Sequence, residues 1–186
     1  MSVRAGPSLV GAVRTPLESH ASADTLAAYD LHRSAVYGFA LTIVRDASTA
    51  EDLLQDAFLR LLEQHTLGRP PDEPLPWLFR VVANLAVSRG RRLQVATRML
   101  PRLMDAGQRD SAESHVLRHE YDQRLVAALA TLSLPERTAI VLAAAGFHGE
   151  QIARAIGRSD AATRTMLCRA RVRLQRQLDL EGLGDA

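Results

Sequence analysis

The residues with the most distinctive chemistry lie near the C-terminus, where residues 159–177 read SDAATRTMLCRARVRLQRQ. Six arginines and a single acidic residue, Asp160, fall between Arg158 and Gln177. Guanidinium groups form paired hydrogen bonds with phosphates and with guanine. Phosphate attraction acts locally, so this cluster matters more than the whole-chain formal charge of +2. The stretch therefore indicates contact with nucleic acid.

The segment just before it predicts a helix-turn-helix. GEQIARAIG ends on Gly157, which permits a left-handed turn, and Ser159 or Asp160 can cap the next helix. Helical spacing there predicts a buried stripe of Thr163, Leu167, Ala170 and Leu174. Arg164, Cys168 and Arg171 share another face, with Arg169 in a neighbouring row. This layout favours DNA reading, although a solvated basic helix on an ordinary bundle has the same pattern.

A second polar group lies on the helix predicted from Trp77 toward Gly90. Arg80, Asn84 and Ser88 share one face of this helix, and the basic segment of Arg89, Arg91 and Arg92 lies at its end. Asparagine can bond base edges, arginine can bond phosphates, and Trp77 and Phe79 could stack on bases. Taken alone, the pattern favours the simpler interpretation that both aromatic side chains are core and the arginines are solvated.

An acidic and polar row precedes that helix, formed by Glu51, Asp52, Gln55 and Asp56. Such rows are usually just solvated faces. Here the row would repel DNA, yet it shares a domain with a predicted DNA-contacting helix. We therefore interpret it as a surface for a protein partner.

Catalytic and metal sites find little support. His115 and His119 have a zinc-compatible spacing, but no third ligand follows at motif spacing. Cys168 has arginine neighbours and no resolving thiol, so a redox role is not favoured. The chain has no glycine-rich phosphate loop and no nucleophile elbow. We expect neither an enzyme nor a cofactor.

Periodicity and breakers divide the chain into helical parts. We expect a flexible N-terminal extension over 1–23, a helical domain over 24–95, a flexible linker over 96–114, a second helical domain over 115–180 and a tail over 181–186. Two capping-box spacings, Ser48 to Glu51 and Ser133 to Glu136, mark helix starts. Four prolines make residues 66–76 a loop. The fold class is all-α, with two small helical domains.

Composition agrees with these assignments. The 186 residues are 47% apolar but only 4% aromatic, so the cores must be mainly aliphatic. All 23 basic residues are arginine, which GC-rich coding explains most simply. The single cysteine fits a reducing cytoplasm, and no apolar run approaches the roughly 20 residues of a membrane span. The N-terminal residues do not resemble a signal peptide.

Together these pieces resemble the extracytoplasmic-function (group 4) sigma factors of bacterial RNA polymerase, over about residues 24–178. STAEDLLQDAFLRLLE is similar to region 2.2, and PLPWLFRVVANLAVSRGRR to regions 2.3–2.4. LPERTAIVLAAAGFHGEQIARAIGRSDAATRTMLCRARVRL is similar to region 4. The resemblance implies a σ2-like and a σ4-like domain. It also implies an alternative sigma factor that directs initiation at promoters with −10 and −35 elements.

The resemblance also implies partners and site residues. Core RNA polymerase would be bound through the β′ clamp helices and the β flap, with Asp52, Gln55, Asp56 and Phe58 in the clamp-binding segment. The loop over 66–76 would capture an unpaired base. The −10 element would be contacted by Trp77, Arg80, Asn84, Arg91 and Arg92, and the −35 element by Ser159, Thr163, Arg164, Cys168, Arg169 and Arg171.

The same resemblance implies a cytoplasmic protein that is a monomer when free, associates with the nucleoid in holoenzyme, and is inhibited by an anti-sigma factor. Three departures stand out: Ala83 replaces a common arginine, and Ala162 and Met166 replace a threonine and an arginine, which leaves fewer polar groups for base contact at the −35 element. Gly90 is also expected to shorten its helix. Two alternatives remain: a stand-alone helix-turn-helix regulator that dimerises on a palindrome, and a sigma mimic that sequesters an anti-sigma factor.

Overall fold

A computed structural model describes residues 16–99 and 120–180, with side chains over 20–96 and 124–179. All regular elements in these ranges are helices, which confirms the all-α prediction. They are α1 (Pro16–Val44), α2 (Ala47–Thr66), α3 (Pro74–Met99), α4 (Glu120–Ala130), α5 (Leu134–Ala144), α6 (Gly149–Ile156) and α7 (Asp160–Leu180). Helices α1–α3 form an N-terminal unit and α4–α7 a C-terminal unit.

The starts of α1 and α2 both differ from the sequence prediction. Helix α1 begins at Pro16, so the flexible extension predicted over 1–23 is wrong for its last residues. Arg45 then takes a left-handed conformation (φ 63°), and Asp46 caps α2 by accepting a 2.7 Å hydrogen bond from the Thr49 N–H. The N-cap of α2 is therefore Asp46. The capping-box spacing had predicted Ser48, two positions later.

The third helix is longer than predicted at both ends. It begins at Pro74, where proline is tolerated because the first turn lacks intrahelical N–H partners. It continues through Gly90 to Met99, so Gly90 does not shorten it and the predicted linker boundary at 96 falls inside a helix.

Aliphatic burial builds the N-terminal unit, as the composition predicted. Val36 and Ile43 of α1, Leu53 and Leu61 of α2, and Leu78 of α3 are essentially inaccessible to solvent. Phe39 and Phe79 stack with ring centroids 4.3 Å apart, which packs the half-buried Phe79 against the core. Not every apolar residue of α1 is buried, since Leu26 and Leu31 lie exposed.

Caps and a turn shape the C-terminal unit. The predicted box is present at the start of α5, with the Ser133 N–H donating to Glu136 Oε2 at 2.9 Å. The Ser133 hydroxyl also donates to the same oxygen at 2.7 Å. Gly157 closes α6 in the predicted left-handed conformation (φ 66°). A small cluster of Leu129, Leu132 and Ala170 joins α7 to the segment around α4.

The two units also share a core, which the sequence did not predict. One continuous cluster contains Val36 and Leu78 of the N-terminal unit together with Leu142, Ile152 and Ile156 of the C-terminal unit. Helices α1 and α3 pack on α5, and α3 also packs on α6. The sequence therefore predicts two domains, but in the described residues both units share one main hydrophobic core.

A buried arginine spans the contact between the units. Arg137 of α5 donates from Nε to the Ile43 carbonyl at 2.7 Å, and from Nη1 to the carbonyls of Leu132 and Leu129 at 3.1 and 3.4 Å. Burial, with a smaller contribution from Arg45, lowers its pKa to about 10, so it remains charged at neutral pH. The Ile43 and Leu129 carbonyls belong to the last turns of α1 and α4, where unpaired carbonyls favour a cation, and Leu132 lies in the turn that follows α4.

Several predictions fall outside the described residues. These are the N-terminal extension up to residue 15, the linker between 100 and 114, the His115–His119 pair and the tail over 181–186. Among the helices that are described, none is both long and apolar enough to span a membrane.

Candidate nucleic-acid interface

The second helix of the helix-turn-helix forms as predicted and presents its polar face outward. Ser159 precedes α7, and its Oγ accepts from the Ala162 N–H at 3.3 Å. The face directed away from the core carries Ser159, Arg164, Cys168, Arg169 and Arg171, all exposed. Arg164 pairs with Asp160 one turn away at 3.2 Å, and its side chain is 73% exposed. Such an exposed pair is weak, so Arg164 is available to other ligands.

Thr163 does not belong to that outer face. It is completely buried, and its hydroxyl donates to the Ser159 carbonyl at 2.9 Å. The spacing had already placed it in the buried stripe with Leu167 and Ala170, which are also buried. We therefore correct its assignment as a DNA-contacting residue, because its side chain supports the turn and offers nothing to a ligand.

A shallow groove of about 520 Å³ runs beside the exposed face. Its lining comprises Glu136, Arg158, Ala161, Ala162, Thr165, Met166 and Arg169. Arg158 and Arg169 supply positive charge, whereas Ala162 and Met166 supply apolar surface. The apolar surface of Ala162 and Met166 is better suited to contact with an apolar group, for instance a thymine methyl group, than to hydrogen bonding with a base edge.

Glu136 is the one acid in this groove, and it is already engaged. Arg173 of α7 pairs with it at 3.0 Å. Burial alone raises the pKa of Glu136, but hydrogen bonds from Ser133 and the charge of Arg173 outweigh this and leave the pKa below its usual value. The carboxylate is thus ionised and neutralised locally, which limits its repulsion of a phosphate.

Helix α3 brings its predicted polar residues together on one face. Arg80 and Asn84 are exposed, and Ser88 donates to Asn84 Oδ1 at 3.2 Å. Trp77 is half-buried and packs against the main core, so one part of its ring remains accessible. Phe79 is half-buried against the same core and the arginines are exposed, so the burial pattern fits the simpler interpretation as well as it fits a DNA-contacting face.

The end of this polar face meets the C-terminal unit. Arg91 is exposed as a residue, but its Nη2 lies 3.4 Å from the Ile156 carbonyl at the end of α6. Trp77 and Arg80 share a cleft of about 420 Å³ with Phe147 and Gln151 of the α5–α6 region, with the loop residues Pro71, Asp72 and Glu73, and with Pro76 in the first turn of α3. Neither Phe147 nor Gln151 was predicted here, because no local spacing connects them to α3.

The acidic row on α2 is solvent-exposed, as predicted, for Asp52, Gln55 and Asp56. Asp52 is partly neutralised by Arg89 of α3, which lies 3.0 Å away. The prediction that Phe58 contacts polymerase is wrong. It is only 6% exposed and makes an edge-to-face contact with Tyr29 at 5.0 Å, so its ring belongs to the core instead of a docking surface.

Comparison with known proteins agrees with this geometry. The family model for sigma-70 region 2 matches residues 28–106, and the model for sigma-70 region 4 matches residues 122–174. These segments cover the helix bearing Arg80 and Asn84 and the helix-turn-helix, respectively.

Individual relatives carry the same description. The chain is 23% identical over 159 residues to the ECF RNA polymerase sigma factor SigX of Bacillus subtilis, covering 82% of this chain and 82% of that protein. It is 31% identical over 152 residues to the probable RNA polymerase sigma factor RfaY of Xanthomonas campestris, covering 78% of this chain but 38% of RfaY. The chain therefore spans well under half the length of that relative.

A solved structure extends the likeness to three dimensions. It is the sigma factor RpoE of Bartonella quintana, determined in complex with the anti-sigma factor NepR. The match has a TM-score of 0.59 and 26% identity, and covers 84% of this chain and 97% of RpoE. With regions 2 and 4 both matched in order, the chain belongs to the sigma-70 family, as an extracytoplasmic-function sigma factor.

Proposed function

We propose that this protein binds core RNA polymerase and directs transcription initiation at promoters that carry a −10 and a −35 element. The observation that supports this most strongly is that two exposed, arginine-bearing helix faces lie in separate regions of one chain, on α3 and on α7. Each face alone would bind DNA weakly. Held together on polymerase, the two would act at high effective concentration on two elements of one promoter.

The −35 element is proposed to bind α7 in the major groove. Ser159, at the start of the helix, is placed for a phosphate, since the first N–H groups of a helix favour anions. Arg164, Arg169 and Arg171 can bond phosphates or guanine, and Cys168 lies among them as a small apolar contact. The groove formed with Ala162 and Met166 supports a preference for thymine methyl groups at the adjoining position.

The −10 element is proposed to bind α3 and the loop before it. Asn84 and Arg80 provide hydrogen bonds for an exposed base or phosphate, and the accessible part of Trp77 can stack on an unpaired base. Arg91 and Arg92 extend the positive surface along the same helix. Unstacking costs a few kcal/mol per base step, which contacts to a captured base can offset.

Polymerase is proposed to dock on the exposed part of α2. Asp52, Gln55 and Asp56 form a polar, acidic surface that suits the clamp helices of the β′ subunit, while the C-terminal unit would meet the β flap. Promoter recognition on polymerase implies a cytoplasmic protein that is monomeric before it joins the enzyme. Because the Bartonella relative was solved with NepR, we also propose regulation by an anti-sigma factor.

In vitro transcription with bacterial core RNA polymerase and a genomic fragment library tests this proposal. Addition of the full chain should produce discrete start sites preceded by a shared two-part motif. A variant with both Arg80 and Asn84 changed to Ala should lose these transcripts. A variant with Asp30→Ala, an exposed change on α1 outside the proposed surfaces, should retain them.

The opposite outcome also discriminates between functions. A folded protein that yields no transcript with active core enzyme would refute the proposal. Dimeric binding to a palindrome without polymerase would then establish a stand-alone regulator. Binding to an anti-sigma factor without any binding to polymerase would establish a sigma mimic.

A further inference from the structure

One arginine lies beside the proposed −35-reading helix without being part of it. Arg158 stands between Gly157, whose left-handed conformation ends α6, and Ser159, which precedes α7. It lines the shallow groove together with Arg169, although the −35-contacting residues predicted from the sequence begin at Ser159. The groove therefore receives one basic side chain from the turn and one from the helix.

The backbone of Arg158 is anchored on α6. Its N–H donates to the Ala153 carbonyl at 3.0 Å, and the Gly157 N–H donates to the Arg154 carbonyl at 3.3 Å. This pair of hydrogen bonds is the one that closes a helix through a left-handed glycine. The backbone at Arg158 is thus already ordered beside the start of α7, so only side-chain freedom is lost when its guanidinium binds a ligand.

The guanidinium of Arg158 is accessible to such a ligand. The residue is exposed, and none of the ion pairs in the described part of the chain includes it. The same holds for Arg169, whereas Arg164 on the same helix pairs with Asp160. Arg158 and Arg169 can therefore bond a new acceptor without first losing an acidic partner.

The groove is positively charged despite its one carboxylate. Glu136 lines it, but the Glu136 side chain is only 15% exposed and pairs with Arg173 at 3.0 Å. The charges of Arg158 and Arg169 are therefore left uncompensated in the lining. Such a surface attracts a polyanion, and duplex DNA carries one negative charge per about 1.7 Å of its axis.

The spacing of the two arginines suits a DNA backbone. Arg158 lies just before α7 and Arg169 about three turns along it, which separates them by roughly 15 Å at the helical rise per residue. DNA presents several phosphates within such a distance. The lining also includes Ala162 and Met166, which offer no side-chain hydrogen bond to a base. The two arginines are thus the groups of this groove that a phosphate backbone can engage.

We propose that Arg158 is a further −35-contacting residue, which binds a backbone phosphate from the turn while Arg169 binds another from the helix. The two contacts hold the duplex against Ala162 and Met166, where a thymine methyl group packs. Part of the affinity that these two residues do not supply by hydrogen bonding then comes from outside the recognition helix. This inference rests on the proposed function, since it adds a residue to the same DNA-binding site.

The salt dependence of duplex binding tests the contact. Fluorescence anisotropy of the full chain is measured over a series of salt concentrations, on a −35 duplex recovered by transcription and on a duplex of unrelated sequence. Arg158→Ala should weaken binding to both by about 3- to 10-fold and lower the slope of log K against log salt by about one. Arg158→Lys keeps the charge and should restore the slope.

Arg176→Ala is the matched control. It removes an exposed arginine from the far part of α7, away from the groove, and should leave affinity and slope unchanged. Circular dichroism should give the same helix content for the parent and all variants, because each substituted residue is exposed.

The outcomes separate this contact from the function on which it rests. Unchanged affinity and slope for Arg158→Ala on both duplexes would overturn it. Weaker binding to the −35 duplex alone, with an unchanged slope, would also overturn it, because that result indicates a base contact. If the parent directs no transcription but Arg158→Ala still lowers the slope on the unrelated duplex, the phosphate contact stands and the proposed function fails.

Discussion

Arg137 shows how one side chain can organise a contact between two domains. Its guanidinium satisfies carbonyl groups at the ends of two helices, one in each region, and is itself only 6% exposed. Burial of a charge is unfavourable unless hydrogen bonds compensate it, and three acceptors surround this group. The residue is therefore structural, although its position in region 4 of a DNA-binding family could suggest a role on DNA.

Arg137→Ala should lower the free energy of unfolding by about 3 kcal/mol, since it leaves buried carbonyls without a donor. Urea denaturation followed by circular dichroism measures this. The matched control is Arg154→Ala, an exposed arginine of the same region, which should change stability by less than about 0.5 kcal/mol. Equal effects of the two substitutions would show that the Arg137 hydrogen bonds contribute little.

The N-cap formed by Asp46 gives a second prediction at the scale of single residues. Asp46→Ala should cost about 1 kcal/mol, the usual contribution of an N-cap, whereas Ser48→Ala should have almost no effect. Thermal denaturation of the two variants compares the cap in the structure with the one that local spacing indicated. A larger loss for Ser48→Ala would reverse the assignment.

The contribution of Asp46 should also depend on pH in a defined direction. Hydrogen bonds from the Thr49 side chain and N–H hold the pKa of Asp46 below its ordinary value of 3.8. Because the folded-state pKa is the lower one, the stabilisation is fully present above about pH 4 and is lost as the pH falls through the folded-state pKa. The difference in stability between wild type and Asp46→Ala should therefore shrink in acid and stay constant between about pH 5 and pH 7.

At the scale of elements, α7 divides its residues between support and recognition. Thr163, Leu167 and Ala170 are buried, and the arginines lie outside. Arg164→Ala and Arg171→Ala should each weaken binding to the −35 duplex by about 1–3 kcal/mol if they contact bases, and less if they contact phosphates only. Fluorescence anisotropy at fixed salt measures this.

The salt dependence of binding, together with a control variant, distinguishes phosphate contacts from base contacts. Loss of a phosphate contact lowers the slope of log K against log salt by about one, whereas loss of a base contact mainly relaxes sequence preference. Arg176→Ala, near the far end of α7, should change neither. Unchanged −35 binding by both Arg164→Ala and Arg171→Ala would exclude the proposed recognition face.

Gly38 and Gly90, each in the interior of a long helix, give another prediction for single elements. Gly38→Ala should stabilise the protein by about 0.5–1 kcal/mol, because alanine favours the helix and the site is open. Gly90→Ala should give no such gain, since its Cβ would displace the Leu134 side chain. Thermal denaturation of the matched pair measures the difference. Equal stabilisation would mean that Leu134 moves aside at no cost.

At the scale of the whole molecule, a shared core should couple the two regions. Differential scanning calorimetry of the parent chain should show one transition with a van't Hoff enthalpy equal to the calorimetric enthalpy. Leu134→Glu should separate the unfolding of the two regions into distinct transitions, because it weakens their contact more than either region's own packing. Two transitions in the parent would show that the shared core does not couple the regions.

The sequence by itself determined most of the local structure and the family. Apolar periodicity, the Ser133–Glu136 box and Gly157 act within one or two helical turns. Interactions between residues this close in sequence can be predicted without knowing the tertiary structure. They predicted the all-α class, the helix-turn-helix and the outward position of Arg164 and Arg171. The same rules were wrong at Asp46, where a single left-handed residue moved the cap, and at Gly90, where helix propensity alone suggested an end.

Tertiary structure decided what depends on contacts between distant parts of the chain. The packing of Phe58 on Tyr29, the bonding of Arg137 to Ile43 and the meeting of Trp77 with Phe147 join residues that share no local pattern. Thr163 lies between the two cases, because periodicity placed it in the buried stripe while the family resemblance placed it on DNA, and burial resolved the conflict. Helical spacing shows which face is apolar, but only packing determines what covers that face, and here the two regions cover each other.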